Sequence, residues 1–226
     1  MQSETGTADI PDRRASVVGI LLAGGLSSRM GGPEKSLLDL GGRPMLWSVL
    51  DRMAPQVGQI AINANGDPAR FAAFPHPIVA DAIPGHAGPL AGLHAGLLWT
   101  RREAPAARYV ATASADSPFL PLDLVQRLAG AIRSSGKPCA IAAYAGEKYP
   151  VAGLWSIDLA EAATEALARN MRALHRFAEA NDCATVEFPS LSFGDISVDP
   201  FFNVNTPEEY EQARAIHAAA TNLGAL

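Results

Sequence analysis

The chain is poor in cysteine, in charge and in long apolar runs, and each shortage narrows what it can be. Cys139 and Cys183 are its two thiols in 226 residues. They lack CxxC spacing, so no disulfide framework is expected, and a pair of free thiols fits a reducing cytosol. No run approaches the roughly 18 to 20 apolar residues of a membrane-spanning helix. The polar first sixteen residues lack the apolar centre of a signal peptide, so the expected location is the cytoplasm, with no membrane contact. Lys and Arg number 18 against 23 Asp and Glu, a formal net charge of −5. A surface for a nucleic-acid polymer would need a basic excess, so that partner class is excluded. The five histidines (His76, His86, His94, His175 and His217) show no HxxxH or HxE spacing and read as surface or packing residues. Trp47, Trp99 and Trp155 read as core or interface.

What remains is an ordinary globular composition, 48% hydrophobic and 18% charged, long enough for one α/β domain with a substantial core. Residues 1–15 read as a disordered leader, 16–220 as a single domain and 221–226 as a frayed tail. Apolar runs predict strands at 17–22, 59–63, 78–80, 109–113 and 139–143. Helical spacing predicts helices at 45–57, 67–74, 90–102 and 122–134 between them. The second half is less regular, with strands at 149–155 and 184–188 and helices at 158–168 and 171–180. The last helix is signalled at its start. Thr206 is a capping residue, Pro207 takes the first helical position, and Glu209 closes a capping box. Strand–helix alternation of this kind predicts a three-layer, Rossmann-like fold with a mostly parallel sheet. Ligands of such sheets bind outside the carboxyl ends of the strands.

One stretch organises the whole: the buried run 17–22 breaks into Ala23-Gly24-Gly25-Leu26-Ser27-Ser28-Arg29-Met30-Gly31-Gly32-Pro33-Glu34-Lys35. Glycines let backbone N–H groups approach an anion, and Arg29 and Lys35 add positive charge beside them. It is not a Walker A loop, because no glycine precedes Lys35-Ser36. It is not a dinucleotide fingerprint either, because G-x-G-x-x-G spacing is missing. A polyphosphate cradle is the reading that survives. The next strands end on Asn63, Asp81 and Asp116, so all four exits face one crevice. A single such residue is more often a turn-former or cap; four in register are not.

With these residues in view the chain resembles the molybdenum cofactor guanylyltransferases, a branch of the nucleotidyltransferases. The carriers are the loop 22–31 with Lys35, Asn63-Ala64-Asn65, Asp81 with Gly88-Pro89-Leu90-Ala91-Gly92, Asp116-Ser117-Pro118-Phe119, and Asn203-Val204-Asn205-Thr206-Pro207-Glu208. The resemblance covers about residues 17–215 and implies a nucleotidyltransferase fold. It implies transfer of GMP from GTP to the phosphate of molybdenum-bearing molybdopterin, with release of pyrophosphate.

Residue by residue, it implies that Leu22, Ala23, Gly24 and Gly25 hold GTP through backbone groups and that Lys35 neutralises phosphate. Asn63 and Asp81 would contact the nucleoside part, Asp116 would bind Mg²⁺, and Arg29 would join Lys35 and Asp116 in catalysis. Asn203, Asn205 and Arg172 are the residues expected on the second-substrate side. Further expected partners are molybdoenzymes or their chaperones, with the protein itself a monomer or weak oligomer.

The sequence departs from the commoner pattern at Glu34 (aspartate is usual), Ser117 (threonine is common) and Tyr149 (histidine is frequent before Pro150). The alternatives are a cytidylyltransferase of the same cofactor, which carries alanine where this chain has Gly24, a sugar-phosphate nucleotidyltransferase, and a GTP-binding regulatory protein on the same scaffold. Attack on the α-phosphorus brings anions together, so the chemistry needs cations at the site. It needs no general base, because a phosphate monoester is largely ionised near neutral pH.

Overall fold

The computed structural model describes residues 14–23, 34–83 and 88–224. The expected leader, together with Gly24, Gly25 and Arg29, lies outside them. Strand β1 (Val17–Leu22) is buried along its whole length, as a central strand covered on both faces must be. Its residues alternate between two cores. Val17 and Leu21 join one apolar cluster, and Val18, Ile20 and Leu22 join the other.

Strands β2 (Gln59–Asn63), β3 (Ile78–Val79), β4 (Tyr109–Ser114), β5 (Cys139–Tyr144), β6 (Glu147–Ser156) and β7 (Ala184–Glu187) complete a seven-stranded sheet in the order β3-β2-β1-β4-β6-β5-β7. Pairing is parallel except around β6, which runs antiparallel to both β4 and β5. The single α/β domain with a mostly parallel sheet is therefore what the chain adopts.

The antiparallel strand has a local cause. Tyr144 pairs with Glu147 across a two-residue turn in which Ala145 has φ 50° and Gly146 φ 83°. Two consecutive left-handed residues give the hairpin turn that matches strand twist. A parallel crossover is impossible in so short a connection.

Helices α1 (Met45–Met53) and α3 (Leu124–Ser135) cover one face of the sheet, and α2 (Pro89–Glu103), α4 (Ala160–Ala168) and α5 (Leu174–Ala180) cover the other. Helix α6 (Pro207–Asn222) and a small hairpin, β8 (Leu191–Phe193) and β9 (Ile196–Val198), enclose a third apolar cluster around Phe119. The hairpin was not expected; strands of three residues carry too little alternation to be seen. Trp155 is fully buried and donates from Nε1 to Thr112 Oγ1 at 2.9 Å, so this tryptophan is core.

Several boundaries differ from expectation. The helix expected over 45–57 ends at Met53 and tightens into a 3-10 turn, Ala54–Gln56, since Pro55 has no N–H to continue the ladder. The helix expected over 67–74 is likewise a 3-10 turn, Pro68–Phe71, capped by Asp67. Ahead of α1, a 3-10 turn, Lys35–Leu37, leads through an extended Leu38 to an isolated bridge between Asp39 and Pro44. Helix α5 starts at Leu174 rather than 171, and α6 runs on to Asn222. Among the described residues no helix is long and apolar enough to cross a membrane.

Candidate active site

Register builds the site. Leu22 pairs with Asn63 on one side and with Ser114 on the other, so the exits of β1, β2 and β4 form one row. Two further backbone bonds extend it: Ala23 N donates to Asn63 O at 2.9 Å, and Ala115 N donates to Leu22 O at 3.1 Å. Ala23 thus lies at the sheet edge between Asn63 and Ala115.

On the β2–β3 side the polar groups are locked to one another. Asn63 is 4% exposed, and its Nδ2 donates to Val79 O at 2.9 Å and to Asp81 Oδ1 at 3.0 Å. Asn65 Nδ2 donates to the other carboxylate oxygen at 2.8 Å, while its Oδ1 accepts from Asp81 N at 2.9 Å. Room for this arrangement comes from Gly92 in the first turns of α2. A Cβ there would lie 2.4 Å from Asn63 Oδ1 and 2.8 Å from Leu22 Cδ2.

On the β4 side Ser114 Oγ donates to Asp116 Oδ1. The late asparagine motif docks here as well: Val204 N donates to Asp116 O at 3.1 Å, and Ser117 Oγ donates to Asn203 Oδ1. Lys35 Nζ donates to Asn205 Oδ1 at 3.3 Å. Asn205 is held from behind by its N–H on Glu209 Oε2 at 2.6 Å. The same Glu209 completes the capping box with Thr206 that the sequence signals.

Burial pushes the Asp116 carboxyl above the ordinary carboxylate range, opposed by the Ser114 hydroxyl and the Lys35 charge. A carboxylate kept so poorly solvated is suited to a cation. Among the described residues no group of three acidic, histidine or cysteine side chains gathers. Asp116 offers one carboxylate, a hard oxygen donor of the kind a divalent cation accepts alongside phosphate and water oxygens.

Arg70 carries no motif and was not expected. Its Nη1 donates to Glu34 Oε2 at 2.8 Å, its Nη2 to Asn65 O, and its Nε to Asp67 O at 3.1 Å. Burial pushes the Glu34 carboxyl up, while the Arg70 guanidinium holds it back. The only advance signal is its position five residues after Asn65, on the turn that follows a site strand.

Arg172 meets the site through its backbone. Its carbonyl accepts from Leu90 N at 3.3 Å in the first turn of α2, and its side chain is exposed. Gly88, with φ 129°, allows this approach, since a Cβ there would lie 2.9 Å from Arg172 O. Tyr149 does not join the site residues; its hydroxyl donates to Asp199 Oδ2 at 2.7 Å.

The model of the MobA-like NTP transferase domain matches residues 19–184. A molybdenum cofactor guanylyltransferase of Rhodopseudomonas palustris (strain BisB5) is 47% identical over 201 residues, 87% of this chain and 92% of the relative. The chain belongs to the MobA-like NTP transferase family, in the molybdenum cofactor guanylyltransferase branch. A second relative of that name, from Bradyrhizobium sp. (strain ORS 278), is 44% identical over 219 residues, 96% of this chain and 97% of the relative. Among solved structures, the molybdopterin-guanine dinucleotide biosynthesis protein A of Archaeoglobus fulgidus superposes with a TM-score of 0.68 at 20% identity. That match covers 89% of this chain and 98% of the other, and it shows the shared nucleotidyltransferase fold.

For this member of the family, the expected residues thus fall into three sets. Leu22, Ala23, Lys35, Asn63, Asp81, Asp116, Asn203 and Asn205 converge on one sheet edge. Arg172 lies beside the start of α2. Gly24, Gly25 and Arg29 lie outside the described residues.

Proposed function

We propose that this protein is a nucleotidyltransferase that joins GMP from GTP to the phosphate of molybdenum-bearing molybdopterin. The product would be the guanine dinucleotide form of the cofactor, with pyrophosphate released. The observation that carries this reading is the late asparagine motif, which docks on Asp116 through Val204 N and holds Lys35 through Asn205, beside the Asn63–Asp81 lock at the same strand exits. The guanylyltransferase branch to which the chain belongs supplies the base and the acceptor.

In the proposed reaction an acceptor phosphate oxygen attacks the α-phosphorus of GTP, and the bond from that phosphorus to the bridging oxygen of pyrophosphate breaks. Backbone groups of residues 22–25 hold the nucleotide, and Asn63 and Asp81 orient its nucleoside half. Lys35 and Arg29 meet the charge on the departing pyrophosphate. Asp116 would hold Mg²⁺, which would supply Lewis-acid polarisation when bound. Asn203 and Asn205 keep the late motif against the Asp116 turn, and Arg172 faces the second substrate. The acceptor is already anionic, so no side chain is needed to take its proton.

The test is pyrophosphate release by purified protein with Mg²⁺, offered GTP, ATP or CTP, with and without molybdopterin loaded with molybdenum. Release from GTP that requires the pterin supports the reading. Pterin-dependent release from CTP instead would move the protein to the cytidylyl alternative. GTP binding with no release would leave a regulatory binder.

A further inference from the structure

We infer that Arg70 is a positioning residue: it ties the end of the glycine-rich segment to the Asn65–Asp81 side and so fixes the spacing between the phosphate and nucleoside halves of the site. The inference rests on the proposed GTP site and deepens it. The three donor bonds of Arg70 reach three residues on two stretches of chain: the Glu34 side chain on one, and the Asn65 and Asp67 carbonyls on the other. A planar fork with every arm engaged holds its partners at set distances, which a single-point ammonium cannot do. The guanidinium also lies 5.3 Å from the ring centroid of Phe71, a residue 1% exposed, so its stem cannot swing freely.

Both ends of the tie matter to the site. Glu34 directly precedes Lys35, and its side chain is only 9% exposed. Beyond burial, the largest cause, the Asp116 charge adds a smaller upward push on the Glu34 carboxyl. Left unpaired, Glu34 would add a buried negative charge where a triphosphate must sit. At the other end, the Asn65 carbonyl that Arg70 grips belongs to the residue whose amide holds the Asp81 carboxylate. A shift of the Asn65 turn would therefore be felt at Asp81, and a shift of Glu34 at Lys35. The ion pair spans 36 positions in sequence.

The experiment is calorimetric binding of GTP with Mg²⁺ to wild type, Arg70→Met, Arg70→Lys, Glu34→Gln and the double variant Glu34→Gln/Arg70→Met, with melting temperatures measured alongside. Arg70→Met should weaken GTP at least about tenfold, short of the full penalty for a wholly buried pair because Arg70 is 31% exposed. Arg70→Lys should recover only part of that loss. Glu34→Gln, nearly isosteric, should cost less than Arg70→Met, and the double variant should bind no worse than Arg70→Met alone, since both changes act through one contact. Additive losses, or Arg70 variants that bind GTP like wild type, would overturn the inference while leaving the GTP site standing. A wild-type protein that binds no GTP would overturn the functional reading and the inference with it.

Discussion

Lys35 and Asn205, 170 positions apart, meet through a 3.3 Å hydrogen bond from the ammonium to the side-chain carbonyl. The contact joins the far end of the glycine-rich segment to the late asparagine motif, directly over the turn that carries Asp116. Lys35→Ala should lower turnover by about tens- to thousands-fold, the range seen when one oxyanion donor is removed. Asn205→Ala keeps the ammonium but loses its tether, so a smaller loss is expected. Steady-state kinetics with GTP check both. A Lys35→Ala variant near wild-type rate would make Lys35 an ordinary surface cation.

A single methyl group probes the nucleoside side. Gly92→Ala would push a Cβ to 2.4 Å from Asn63 Oδ1, and that side chain is held in place by its bonds to Val79 O and Asp81. The expected cost is about 1 to 3 kcal/mol of stability from overpacking. Because Asn63 also holds Asp81, the KM for GTP should rise more than kcat falls. Thermal unfolding together with a KM and kcat measurement separates these; an unchanged KM would detach Asn63 from nucleotide binding.

The legible parts of this chain were those written in buried runs and caps. β1 is apolar at every position because both its faces are covered, and the Thr206–Glu209 capping box stands as the sequence signals it. The convergence of Asn63, Asp81 and Asp116 followed from parallel strands sharing one edge. The direction of β6 was not legible, because its hairpin turn is Ala145-Gly146 and an alanine at φ 50° lacks the usual Asn or Asp signal. Arg70 was hidden for a different reason. Its importance lies in long-range partners, Glu34 above all, and no local pattern announces a partner 36 residues away.

Asp116→Asn separates stability from function. The carboxyl is raised by burial, so the metal-free fold bears the ionised form at a cost near neutral pH. With the folded value above the unfolded one, this group favours the fold at low pH, and that support is lost as pH rises through the folded value. The neutral amide removes the cost. In the presence of a chelator at pH 7, Asp116→Asn should therefore melt no lower than wild type, while its Mg²⁺-dependent turnover falls at least about 100-fold. Calorimetric melting and a pyrophosphate assay check the pair of outcomes. Retained turnover would remove Asp116 from the metal.

His94 sets an acid limit on the fold away from the chemistry. It is 3% exposed, and its Nε2 lies 2.9 Å from Thr164 Oγ1. That hydroxyl already donates to Ala160 O at 3.0 Å, so the ring must donate from Nε2. Nδ1 has no partner, and a second proton there would be buried without an acceptor. Burial accordingly lowers the His94 pKa, against a weaker pull from the Asp81 charge. A folded value below the unfolded 6.5 means a contribution present above that pH and lost as pH falls toward the folded value. The melting temperature should drop on acidification from about pH 7 to 5, with His76 and His217 contributing in the same direction. His94→Gln retains a donor for Thr164 but cannot take up a proton, so its drop over the same interval should be shallower than that of wild type. Equal slopes would mean that His94 is not the group that titrates.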